Sequence, residues 1–176
     1  MSRVARITID PSGWDELKDR LSAFKYEIQD AMREAAKKTT RWANNEGISR
    51  IVKLTGVRRA VVKGRTAVKF SYQDGKGNVW FGFNPISLSR LRPRQTRKGV
   101  TAGKVKRPGT FIVQSLNGQV FKRRGPGRLP LDKQMLDIHE EGGIAVEQVI
   151  DRIEARFRIE FSMALGQTKA YRNSRR

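Results

Sequence analysis

The chain has 176 residues, with 37 Lys and Arg against 17 Asp and Glu for a formal charge of +20, one histidine and no cysteine. This length suits a single domain, 1–176, with extended arms; the lack of cysteine excludes disulfides and thiolate metal sites and fits a reducing compartment, and one histidine excludes a His-clustered metal centre. No apolar run approaches the roughly 18 residues of a membrane span, and MSRVARITID has no signal-like apolar core, so a soluble protein assembled in the cytoplasm without membrane contact is expected.

Trp14, Leu17, Leu21, Phe24, Ile28, Met32, Ala35 and Trp42 recur at steps of three or four, which predicts a long helix over 12–46. Ser12 suits its N-cap with Asp15 at N3, and Gly47 suits its C-terminal stop. Thr55 is a further candidate cap, and VRRAVVKGR reads as a short basic helix ended by Gly64. The block 55–131 then turns basic and β-rich. TAVKFSYQ and NVWFGFNPISL, joined by DGKG, form one predicted hairpin. Residues 89–109, with two prolines and three glycines among many cations, read as an exposed loop or long β-arm. TFIVQSL and QVFKR flank Asn117-Gly118, the pair best suited to a two-residue hairpin turn. A helix over 140–166, with the stripe Val146, Val149, Ile153, Phe157, Phe161 and Leu165, precedes a basic tail, 167–176. The fold class expected is α+β: a long N-terminal helix and a C-terminal helix packed on a small antiparallel sheet, with an extended basic loop or β-arm.

The charge is unevenly placed. Residues 51–131 carry 19 cations and one acid, Asp74, while 132–163 carry 4 cations and 8 acids. The middle block therefore has no acids with which to neutralise itself, and an anionic partner is expected to face it. Arg92, Arg94, Arg97, Lys98, Lys104, Lys106, Arg107, Arg123, Arg124 and Arg128 are the candidate contacts, each able to meet a phosphate of a DNA backbone or a carboxylate of an acidic protein surface. No zinc-finger spacing, basic zipper or RNA-recognition aromatic motif is present, which disfavours base readout.

Enzyme readings fare poorly. Asp132, Asp137, Glu140 and Glu141 have the oxygen chemistry for a hard cation, as a nuclease would need, but acids also belong at a helix start, where the macrodipole favours them. His139 sits in DIHEE, a polar approach to that helix. RRGPGR, 123–128, lacks the Lys-Ser/Thr ending of a nucleotide-binding loop. No catalysis and no cofactor are expected.

Several blocks together resemble the minor tail protein Z family, the tail completion proteins of lambda-like tailed phages: Val57-Arg58-Arg59, Arg107-Pro108-Gly109-Thr110-Phe111-Ile112, Asn117-Gly118, Val120-Phe121-Lys122-Arg123 and Arg128-Leu129-Pro130-Leu131. The likeness runs over roughly 15–165, with Thr110 where alanine is frequent and a stronger acidic stretch after Leu131. The resemblance implies a structural virion protein of the tail neck. It would form a ring, hexameric in the family's pattern, at the head-proximal end of a non-contractile tail, touching the tail terminator or tube, the head-tail connector and the end of the packaged genome. On that reading 89–109 grips neighbouring proteins and some hairpin cations meet DNA. A sequence-nonspecific nucleic-acid-binding protein is the alternative.

Overall fold

The computed structural model describes residues 4–10 and 25–173, the side chains of Lys25 and of 168–173 excepted. The start of the expected first helix, with Trp14 and the Ser12 and Asp15 caps, lies outside the described residues, as do the last residues of the basic tail.

The fold is α+β. Strand β1 (Val4–Ile9) and helix α1 (Lys25–Thr55) are followed by the short helix α2 (Arg59–Lys63) and strands β2 (Thr66–Ser71) and β3 (Lys76–Gly82). Next come β4 (Ile86–Ser87), a 3-10 turn (Leu88–Leu91), β5 (Arg94–Thr96), β6 (Gly99–Ala102) and β7 (Val105–Pro108). Then follow β8 (Thr110–Val113), β9 (Gln119–Arg123), β10 (Leu131–Lys133), β11 (Met135–Leu136) and helix α3 (His139–Asn173). In place of one small sheet the described residues form three antiparallel three-stranded sheets, ordered β1-β3-β2, β5-β6-β7 and β10-β9-β8, and the pair β11-β4.

The two long helices pack antiparallel. Arg152 reaches back to Glu46 at 3.1 Å, Gln148 accepts from Arg50 at 2.7 Å, and Arg156 lies over the Trp42 ring, so positions rising on α1 meet positions falling on α3. Buried alanines at 35, 36 and 43 on α1 and at 145 and 164 on α3 leave no bulk between them. The expected stripe of α3 is the buried one: Val146, Val149, Phe157 and Phe161 are in the core, with Ile153 and Leu165 packed against it.

Gly47 does not end α1. The helix continues to Thr55, and Gly47 faces the buried ring of Phe81 on β3, where a Cβ would lie 2.5 Å from Cζ. Helix termination falls to Thr55 and Gly56 instead. Thr55 Oγ1 donates to the Ile51 carbonyl at 2.6 Å and accepts the Val57 amide at 3.1 Å, while Gly56, at φ +69°, returns its N–H to Val52. This is the left-handed glycine cap, displaced two turns and more from where the sequence suggests it. Thr55 thus closes α1 rather than opening the next helix; α2 stops at Gly64 as expected.

The β2–β3 hairpin forms as expected, with Val68 opposite Val79, but β3 also pairs on its other side with β1, Ile7 opposite Val79, a strand with no counterpart among the predicted elements. The Asn117-Gly118 pair takes its positive φ angles, 54° and 67°, yet the β8–β9 turn is not a two-residue one: Val113 pairs with Gln119, and a 3-10 turn over Gln114–Leu116 precedes the pair. At the other end α3 runs through the expected basic tail to Asn173.

Candidate polyanion-binding face

Residues 89–109, expected as an exposed loop or arm, form a packed meander. Strand β6 provides the reason: Gly99, Val100 and Ala102 are buried, and Leu91 from the preceding 3-10 turn joins them in the core. The segment buries small apolar residues and leaves all its cations but Arg107 exposed. Across the strands Arg94, Thr101 and Lys106 stand in register on one face, while Gln95, Val100 and Arg107 stand in register on the opposite one. Opposed residues of an antiparallel pair share a face, so Arg94 and Lys106 flank Thr101 on the outer surface and Arg107 is half-buried on the inner one.

Two polar side chains lock this meander to the β8–β10 sheet. Gln95 donates through Nε2 to the carbonyls of Gly99 at 3.2 Å and Thr110 at 3.3 Å, and its Oε1 accepts the Ile112 amide at 3.0 Å. Thr110, 3 % exposed, donates its hydroxyl to the Arg107 carbonyl at 2.7 Å and accepts the Val100 amide at 3.1 Å. Each bond satisfies a backbone group of β6, β7 or β8 from a side chain rather than from a further strand. The threonine found where the family pattern often has alanine is therefore a fastener between β6, β7 and β8.

Of the ten predicted cations, Arg107 is half-buried and nine are exposed. Arg97 and Lys98 occupy the β5–β6 turn and Lys104 the β6–β7 turn; Arg92 follows the 3-10 turn at φ 56°. On the second sheet Arg123 ends β9 and lies 5.7 Å from the Phe111 ring centre, with Arg124 and Arg128 in the connection to β10. Arg124 is engaged: it forks onto Asp132, at 2.7 and 3.3 Å, and the guanidinium's hydrogen bonds hold the Asp132 carboxyl below the ordinary carboxylate range. None of the other nine has a carboxylate within ion-pair distance among the described residues.

Sequence reasoning missed the extension of this face. The Gly103–Lys104 turn sits against the α1–α2 corner, where a Cβ on Gly56 would lie 2.8 Å from Lys104 Cδ. Exposed Lys53, Arg58 and Arg59 on that corner thereby join the meander's cations. Arg65, held by the carbonyls of Asn84 and Pro85, has its pKa lowered by burial and then by neighbouring Arg90, a further sign of crowded positive charge. No family model, curated protein or solved structure matches this chain. The face is thus read from its own chemistry: exposed guanidinium and ammonium groups suit phosphates or carboxylates.

The acids raised as a cation site are placed otherwise. Asp132 is paired with Arg124, and Asp137 Oδ1 accepts the His139 amide at 3.0 Å at the start of α3. The His139 ring packs edge-on to Phe83, 6.3 Å between centres. Among the described residues no group of three or more His, Cys, Asp or Glu is placed to hold a metal ion, and no helix is long and apolar enough to cross a membrane.

Proposed function

We propose that the chain is a structural virion protein, a tail completion or neck protein that forms a ring at the head-proximal end of a non-contractile phage tail and joins it to the head connector. The observation that carries this reading is the cationic face. It is built on two small sheets fastened through Gln95 and Thr110, so its cations project from one joined scaffold, and all of the ten but Arg124 are left without a carboxylate partner among the described residues. An array on such a scaffold fits a repeated docking role: it aligns with a pattern of anions on a neighbouring ring or along the phosphates of a genome end, and charge complementarity sets the register. The resemblance to the phage family over Arg107–Ile112 and Val120–Leu131 supports the same reading, since those blocks are the strands and the loop of this face. No cofactor is required.

The face equally suits a sequence-nonspecific nucleic-acid-binding protein, since exposed cations with no reading element supply backbone attraction alone. The two readings separate on location. Purified particles labelled with an antibody to this chain should carry label at the head–tail junction; chain found only on bulk nucleic acid in infected or uninfected cells overturns the neck reading and favours the alternative.

A further inference from the structure

Away from the cationic sheets, an open groove of about 380 Å³ runs between β1 and α3. Its apolar lining includes Ile7, Ile9, Ile150 and Phe157, with Arg6 and Asp10 on the β1 side and Glu154 on the helix. Ile150 is 49 % exposed within it. Asp10 is paired with Lys76 and Glu154 with Arg158. Glu147 and Asp151 precede Glu154 at helical steps of four and three, which puts them on the same side of α3. Both are exposed, and neither has an ion-pair partner among the described residues. They are thus available to a cation from elsewhere.

The opposite shape occurs on the second sheet. The connection between β9 and β10 is pinned by the Arg124–Asp132 fork and by the Arg124 amide donating to the Pro130 carbonyl at 3.2 Å. It presents Leu129, 72 % exposed, beside the exposed cations Arg123 and Arg128. A single exposed leucine is ordinary. A leucine on a pinned loop, flanked by cations, in a molecule whose apolar groove is flanked by unpaired acids, is a complementary pair of surfaces.

We propose that the groove between β1 and α3 receives Leu129 of a second copy of this chain, with Arg128 and Arg123 of that copy facing Glu147 and Asp151. Knob and groove are different surfaces, so the contact is head-to-tail and extends into a ring wherever the rotation closes. It deepens the ring of the proposed function. The contact between two copies is testable on the pure chain, so its failure leaves the neck location to be judged separately, and the reverse.

The lack of native cysteine makes disulfide trapping specific. Leu129→Cys and Ile150→Cys, prepared as separate single variants, are mixed under mild oxidation. The mixed dimer is expected to form about tenfold faster than from Leu116→Cys with Ile150→Cys, equivalent to roughly 1.4 kcal/mol in encounter preference; Leu116 is also exposed, in the other hairpin turn. Adding Asp151→Lys to the Ile150→Cys chain should erase the excess, and adding Arg128→Glu to the partner should restore it. A yield equal to the Leu116 control overturns the contact, as does Leu129→Cys pairing chiefly with itself. An excess that ignores both charge reversals overturns the assigned pairing of Arg128 with Asp151.

Discussion

Gly47 and Phe81 meet edge to ring in the core, so close that a Cβ at 47 would lie 2.5 Å from the phenyl Cζ, and this approach lets a glycine sit well inside a 31-residue helix. Glycine there costs about 1 kcal/mol of helix propensity relative to alanine. The tight packing of α1 on β3 is what offsets it.

Gly47→Ala should accordingly destabilise the protein despite its better propensity. Overpacking a well-filled core costs about 1–3 kcal/mol, so a net loss of about 1 kcal/mol, and about 2 at most, is expected in denaturant melts once the propensity gain is subtracted. The same substitution in a Phe81→Leu background should cost less. Equal stability of Gly47→Ala and the parent would show that the ring moves freely and that its closeness to Gly47 is incidental.

Thr110→Val keeps shape and removes the hydroxyl that serves Arg107 and Val100. Leaving buried backbone groups unpaired costs about 1–3 kcal/mol, and Thr110→Ser should recover most of it. Amide hydrogen exchange at Val100 should rise in the valine variant before exchange in α1 or α3 does. Protection at Val100 unchanged by the valine would mean that the two sheets hold together without this bond.

The Arg124–Asp132 pair gives a pH signature. Hydrogen bonding to Arg124 lowers the folded-state pKa of Asp132, so its contribution is fully present above the unfolded aspartate value and is lost as pH falls through the lowered folded value. Side-chain carboxyl NMR should show Asp132 titrating below the ordinary aspartate range, and Arg124→Gln should return it upward. An Asp132 titration indifferent to that substitution would remove the pair from the account.

Replacing Arg94, Lys106, Arg123 and Arg128 together by glutamine should shift stability by about half a kcal/mol or less per site, since all four are exposed. Duplex DNA affinity should fall, and its dependence on salt should flatten by about 0.9 of a log unit for each phosphate no longer neutralised. An unchanged slope with failed head-tail joining would assign the face to an acidic protein neighbour.

Much of the fold is legible in the sequence because long stripes survive local noise. The Val146–Leu165 stripe and the β2–β3 alternation both appear where expected. Strand β1 is missing from the predicted elements although Ile7 and Ile9 alternate with Arg6 and Thr8; six residues with a partner some seventy positions away give a weak local signal. The meander is obscured for a different reason: its buried residues are Gly99, Val100 and Ala102, small and few, while Arg97, Lys98, Lys104 and Lys106 dominate its composition. Gln95 and Thr110, which join the sheets, act through side-chain hydrogen bonds that leave no periodicity. The cations themselves are visible in sequence as a block almost without acids; that Lys104 lies against Gly56, at the corner that carries Lys53, Arg58 and Arg59, follows only from the fold.

The neck assignment is tested most directly by removing the chain from its proposed setting. In a phage deleted for this gene, electron microscopy of lysates should show filled heads and full-length tails left unjoined, and purified chain added to the mixture should restore joined, infectious particles. Joined particles of normal yield in the deletion, or a mixture that the added chain leaves unjoined, would contradict the account.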